Sequence, residues 1–330
     1  MSAPIWLLPQ GVNEILPNEA ANLERLRRAI LDELANRHYQ LVSPPMIEFL
    51  DNLIQGAGSE LTTQTFKVPD YDSHKTLGIR ADMTPQLAQI DAHRLSQQDV
   101  NKLCYIGTVV RTKPMTLGGP RELLQIGAEI FGDQSIEADK DIVDAMLAMH
   151  RLSSSEKVII SFSHVGIFSA LIEMLNIDSS LSDSLYDALL RKSTPDILAL
   201  NKASQQDLSP FIALSKARGD ITVLDAFKLQ CKTTNKIINA LDEIKELVLH
   251  VQSISSAEPH IDLSELHGYR YHTGLTFQTF IGGEGRAIAK GGRYHGLNNP
   301  NNIQADSEKK LLPRYATGFS ADLKLLASLS

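Results

Sequence analysis

The sequence predicts a mixed α+β domain interrupted by a smaller helical one, and three observations carry that expectation. Strand-like runs alternate with amphipathic helices through 1–177, leucine-rich segments at helical spacing replace them across 178–258, and strands resume in 259–330. Strand candidates on both sides of the helical block make 1–177 and 259–330 one discontinuous core and 178–258 an insertion. A chain of 330 residues that is 43% hydrophobic has enough apolar surface for both.

Residues 18–38 read as a helix, with Leu23, Leu26, Ile30 and Leu34 on one face and Glu19 favouring the dipole in the first turn. The short extended run 41–42 stops at Ser43-Pro44-Pro45, where proline removes ladder donors and marks a strand edge. Residues 103–111 and 121–131 are strands joined by a long Pro- and Gly-containing loop, 113–120, as in a hairpin. Residues 136–151 form a helix, 157–162 a strand and 165–175 another helix. The insertion ends in a helix over 234–251 with Ile237, Leu241, Ile244 and Val248 on one face. A strand at 268–280 then turns through 281–285, returns through 286–290, and the chain closes with a helix near 320–326. Residues 298–302 are asparagine-rich and read as a loop.

Composition excludes several classes of function. No run of eighteen apolar residues could span a bilayer, and the N-terminus lacks a signal-peptide pattern, so the expected location is cytoplasmic with no membrane partner. Cys104 and Cys231 are isolated, which gives neither a disulfide framework nor a zinc ribbon. No HExxH helix, GxSxG elbow or phosphate-binding loop is present, and no metal or cofactor is expected; GGEG at 282–285 fits a hairpin turn. A net charge of −7 offers no footprint for bulk nucleic-acid binding.

Two stretches carry the chemistry. On RELLQIGAEIFG (121–132), alternation puts Gln125, Gly127 and Glu129 on one face, with the amide and carboxylate roughly 13 Å apart along the strand. Glycine between them leaves room for a small ligand; Glu129 suits a donor or cation, and Gln125 can donate and accept. A face that is merely solvated is the alternative. On ELHGYRYHTGLTF (265–277), the same alternation puts Tyr269 and Tyr271 on one side and Arg270 and His272 on the other, although aromatic residues on strands are commonly packing.

Together with SPPMIE (43–48), IRADMTPQLA (79–88), LCYIGTVVR (103–111) and AKGGRYHGL (289–297), these stretches resemble histidyl-tRNA synthetase and its relatives. The resemblance implies a class II synthetase fold, a mostly antiparallel sheet flanked by helices. It also implies a self-dimer through the first helix and the Pro44/Pro45 strand, and a pocket for L-histidine. Residue by residue, it assigns the α-amino group to Asp82, Thr84 and Gln125, the carboxylate to Arg111, and the imidazole to Glu129 with Tyr269, Tyr271 and His272.

The departures from that family concern catalysis. The loop RTKPM lacks the family's acid, His267 stands where the synthetases hold a catalytic Arg, Lys324-Leu325 replaces the last ATP-binding Arg, and Asp82 is one methylene shorter than the usual Glu. Adenylate formation needs cations preorganised on developing phosphate charge, which His and Leu do not supply. With the chain ending at Ser330, no anticodon-binding domain and no tRNA partner are expected. This pattern resembles the regulatory-subunit family of ATP phosphoribosyltransferase. That resemblance implies a non-catalytic chain that assembles with a short-form catalytic subunit, activates it, and transmits feedback inhibition by L-histidine in the first step of histidine biosynthesis. The alternative is a divergent synthetase-like ligase that forms an aminoacyl adenylate.

Overall fold

The protein is described from a computed structural model, which covers residues 7–54, 58–95, 99–114, 118–154, 156–204, 206–266, 268, 271–282, 284–296 and 314–329. The asparagine-rich stretch 298–302 lies outside these residues. Two compact units emerge: Met1–Gln134 with Ala148–Ser155 and His295–Ser330, and Ser135–Leu147 with Glu156–Tyr294.

Helix α1 (Pro17–Asn36) buries Leu26, Ile30 and Leu34, the face its periodicity requires. Pro17 opens it because the first helical position needs no N–H partner. Then come β1 (Gln40–Val42), β2 (Ile47–Phe49), α2 (Leu50–Ile54), α3 (Gly58–Gln64), β3 (Phe66–Pro69), β4 (Thr76–Ile79), α4 (Thr84–Arg94), β5 (Asn101–Val110) and β6 (Glu122–Phe131). Helix α5 (Ile136–Ser153) leads to β7 (Val158–His164) and α6 (Val165–Met174). The helical stretch holds α7 (Ser179–Leu190), α8 (Thr194–Ala203), α9 (Ser209–Lys216), β8 (Arg218–Gly219), α10 (Thr222–Gln230) and α11 (Asn235–Ile254). The chain continues with β9 (Glu258–Asp262), β10 (His272–Ile281), β11 (Ala289–His295), β12 (Tyr315–Asp322) and α12 (Leu323–Ser328).

In the first unit, β5 and β6 form the long antiparallel hairpin the sequence predicts, from Asn101↔Phe131 to Val110↔Glu122. Strand β12 flanks β6 antiparallel, and β1 lies parallel to β5. A separate antiparallel sheet runs β2-β4-β3. Asn22 Nδ2 donates to Ala327 O at 3.0 Å, joining α1 to α12. Arg314 forks onto Asp91 at 2.9 and 3.2 Å, fixing the start of β12 against α4. In the second unit the strand order is β11-β10-β7-β9-β8, and α6 and α11 pack on this sheet. Helices α7 to α11 belong to this unit along with β7, β9 and β10.

Several expectations need correction. The strand expected at 268–280 starts only at His272: Gly268 has φ +76°, and the N–H groups of Tyr271 and His272 both reach Gly268 O at 2.7 Å, which makes a turn. The register on β11 then shifts between His272 and Thr276, so strict alternation fails here. The returning strand is 289–295 rather than 286–290, and residues 320–322 are strand, not helix. The three-stranded sheet, β9 and β12 escape the sequence reading because they are short or built from small residues whose pattern is weak.

Candidate functional site

The first unit gathers five of the residues singled out by sequence. Strand β6 is buried on both faces along its second half, so Gln125 and Glu129 are 4% and 1% exposed, and the solvated-face alternative fails. Burying a carboxylate is costly unless it is hydrogen-bonded. Thr84 supplies that bond, its hydroxyl donating to Glu129 Oε1 at 3.0 Å. Having spent its only proton, Thr84 accepts from the Tyr105 hydroxyl at 3.2 Å, giving a directed run from Tyr105 to Thr84 to Glu129.

Segment 80–84 is fixed against this face by its own polar groups. Gln125 Nε2 donates to Asp82 Oδ1 at 3.1 Å, and Gln125 Oε1 accepts from Met83 N at 2.9 Å. Asp82 Oδ1 also accepts from Thr84 N at 2.9 Å, at the opening of α4, where the helix dipole favours a carboxylate. Arg111 Nε donates to Ala81 O at 3.2 Å, and Arg80 holds Thr108 O at 2.9 Å and Pro44 O at 2.7 Å.

Glycines supply the space. A Cβ on Gly127 would stand 2.4 Å from Phe319 O and 2.5 Å from the Tyr105 hydroxyl, so Tyr105 lies over Gly127 between Gln125 and Glu129. A Cβ on Gly318 would fall on Glu129 Oε2, so the Glu129 carboxylate occupies the space that a side chain on this residue of β12 would need. Sequence reading missed Tyr105 and Gly318. The first was within reach, because pairing the predicted hairpin in register sets Tyr105 opposite Gly127; the second required β12.

The second unit holds the described residues of the 265–277 stretch. His267 and Tyr269 lie outside the described residues. Tyr271 stacks on Tyr294 with centroids 4.8 Å apart and meets the His272 ring edge-on at 5.3 Å. The His272 ring is enclosed between Gly268 and Gly292 even though the residue as a whole is half-buried, and its Nδ1 lies 3.1 Å from Arg293 O. Burial pushes the His272 pKa from 6.5 down to about 4, and burial does the same to His150. A folded-state pKa below the unfolded one gives stability that is present above pH 6.5 and lost as pH falls toward 4. The limit is on the order of 3 kcal/mol for each histidine. Denaturant midpoints should therefore fall between pH 7 and pH 5; a flat profile would contradict neutral, buried rings.

Lys324 pairs with Glu122 at 3.1 Å and Leu325 is buried, so this stretch presents no arginine-like fork. Burial raises both thiols to about 11, leaving Cys104 and Cys231 unreactive at neutral pH. Among the described residues no His, Cys, Asp and Glu group could hold a metal, and no helix is long and apolar enough to cross a membrane.

With this geometry in place, similarity to known proteins becomes informative. The histidyl-tRNA synthetase family model matches residues 11–326. The ATP phosphoribosyltransferase regulatory subunit of Paraburkholderia xenovorans is 41% identical over 330 residues, 98% of this chain and 82% of that one. The protein of the same name from Burkholderia pseudomallei is 40% identical over 326 residues, with the same coverage. Among solved structures, an ATP phosphoribosyltransferase regulatory subunit/histidyl-tRNA synthetase from Bacillus halodurans superposes with TM-score 0.86 at 24% identity over 99% of this chain and 84% of that one. An ATP phosphoribosyl transferase (HisG:HisZ) complex from Thermotoga maritima superposes with TM-score 0.69 at 16% identity, covering 91% of this chain and 97% of that one. The fold is thus the class II synthetase-like one of histidyl-tRNA synthetase, and the chain belongs to the family of ATP phosphoribosyltransferase regulatory subunits.

Proposed function

We propose that this chain is a non-catalytic subunit that binds the short-form catalytic subunit of ATP phosphoribosyltransferase, activates it, and carries feedback inhibition by L-histidine. The observation behind the sensing half is the buried Tyr105, Thr84 and Glu129 run beside Gln125 and Asp82. Glu129 offers a carboxylate to an imidazole N–H. Among the described residues no donor reaches Asp82 Oδ2, which leaves it for an ammonium group. Arg111, anchored on Ala81, supplies the cation for the ligand carboxylate. The roles of Tyr269, Tyr271 and His272 toward histidine rest on the family resemblance alone.

Catalysis by this chain is disfavoured by His267 in place of arginine and by Lys324 engaged with Glu122. The ligase alternative predicts histidine-dependent ATP–pyrophosphate exchange; this reading predicts none. A cytoplasmic setting follows from a partner that acts on soluble nucleotides. We retain 178–258 as a helical insertion in the core 1–177 and 259–330. Self-association through α1 and the Pro44/Pro45 edge is supported by exposed apolar residues there: Leu41, Met46, Ile47 and Phe49 are 56%, 42%, 51% and 39% exposed.

The deciding measurement is turnover of the short catalytic subunit with and without this chain, at increasing histidine, alongside calorimetric titration of the complex. Turnover should rise on mixing and fall as histidine binds, because an inhibitor must favour the less active arrangement. No change in turnover would remove the activating role, and no heat of binding would remove the sensing one.

A further inference from the structure

Behind Tyr271 and His272, the second unit contains a connected ionic run that the histidine reading does not use. Arg293 on β11 sends Nε to Asp139 Oδ2 at 2.6 Å and Nη1 to Glu243 Oε2 at 3.0 Å. Its Nη2 also faces Asp139. Asp139, on α5, is fully buried; Glu243, on α11, is about one-third exposed. His164 Nδ1 accepts from Gly166 N at 3.1 Å, so a neutral ring carries its proton on Nε2 and donates to Glu243 at 3.2 Å. Two further contacts link α5 and α11: Lys140 with Glu246 at 2.6 Å and His250 with Asp144 at 2.7 Å.

The other end of Arg293 touches the sensing strand. Its carbonyl holds His272 Nδ1, and the next residue is Tyr294, which stacks on Tyr271. Gly274 leaves room for the stem: a Cβ there would lie 3.2 Å from Arg293 Cδ. Burial works against the charge on Arg293, but Asp139 and Glu243 reverse the sign and its pKa ends raised. Burial would likewise raise the Glu243 pKa, but His164 and Arg293 bring it below its ordinary value. A buried ion pair is weak evidence for stability, since an apolar replacement commonly does as well. What the planar two-carboxylate fork does supply is a fixed angle and height for the strand that carries it.

We propose that Arg293 is a positioning residue: its fork on Asp139 and Glu243 sets the carbonyl that holds His272 and the ring that stacks on Tyr271, locking the histidine-facing strand to α5 and α11. The inference rests on reading Tyr271 and His272 as facing histidine. The variant Arg293→Lys keeps the charge and loses the fork, and Glu243→Gln removes one arm while leaving Asp139 in place.

Two readouts separate this proposal from the histidine reading. Imidazole NMR of the isolated full chain follows His272 without ligand. Wild-type His272 should stay neutral to near pH 4, and Arg293→Lys should move its midpoint back toward 6.5 while the chain stays folded by circular dichroism. Calorimetry on the complex should show histidine about tenfold weaker for Arg293→Lys, the equivalent of one lost charge-assisted contact, with Glu243→Gln in between. An unmoved His272 titration in folded Arg293→Lys overturns the proposal whether or not histidine binds. If Arg293→Lys unfolds, Glu243→Gln decides by the same titration. A wild-type chain that ignores histidine sinks the sensing role and leaves the titration result standing.

Discussion

Glu129→Ala should weaken L-histidine binding to the complex by about 1–3 kcal/mol, the usual cost of stranding a buried polar partner. Calorimetric titration of wild type and variant side by side measures it. The carboxylate is 1% exposed and bonded through Oε1 to Thr84, which is in turn bonded to Tyr105. Removing it leaves the Thr84 proton without that acceptor and the ligand's imidazole N–H without a charged one. Stability should change less than affinity, because loss of a buried charge returns its desolvation cost. Glu129→Gln separates shape from charge: it preserves the volume and should recover only part of the affinity. Equal affinity in wild type and Glu129→Ala would place the imidazole elsewhere.

Gly127→Ala should be among the most damaging small substitutions in the same region. The new methyl would meet the backbone oxygen of Phe319 at 2.4 Å, and main chain in a three-strand ladder cannot swing aside as a side chain can. Overpacking of this kind costs about 1–3 kcal/mol or more, and it would also push Tyr105 away from Thr84. Urea melts should show a lower midpoint with unchanged slope, and histidine binding should weaken in the protein that remains folded. Gly318→Ala is the informative comparison, because its methyl meets the Glu129 carboxylate itself. Because that methyl would also meet the backbone oxygen of Ala128 at 2.8 Å, the expected pattern is a comparable stability loss with near-complete loss of histidine binding. A wild-type midpoint in Gly127→Ala would mean that β12 sits farther from β6 than the register requires.

These glycines also show how much the sequence revealed. The long hairpin, α1, α5, α6 and α11 were legible because their apolar residues recur at a clear period, while α7 to α10 could be read only as a leucine-rich helical stretch. The Gln125 and Glu129 pairing was legible as two polar groups on one face, but their burial was not, since it comes from α4 packing against β6 and from β12 pairing along its edge. Strand β12, YATGFSAD, reads weakly because its small residues are chosen for what they make room for. The turn at Gly268 was hidden for a different reason. Alternating aromatics imitate a strand, and only the left-handed conformation at Gly268 shows that the chain bends first.

The position of β12 governs when this face can come into being. Strand β6 finds β5 through a local hairpin, but its other edge waits for a partner so distant that Leu124 N and the Asp322 side chain, 198 residues apart, still meet at 3.3 Å. Closing so long a loop is slow, and chains dominated by such pairings fold slowly. A growing polypeptide would therefore carry β6 with one bare, apolar edge throughout synthesis of the helical stretch, a state prone to joining other chains. Docking of β12 ends that exposure and closes the space beside Glu129 in one event. On the histidine-sensing reading, the receptor is assembled only once β12 has arrived.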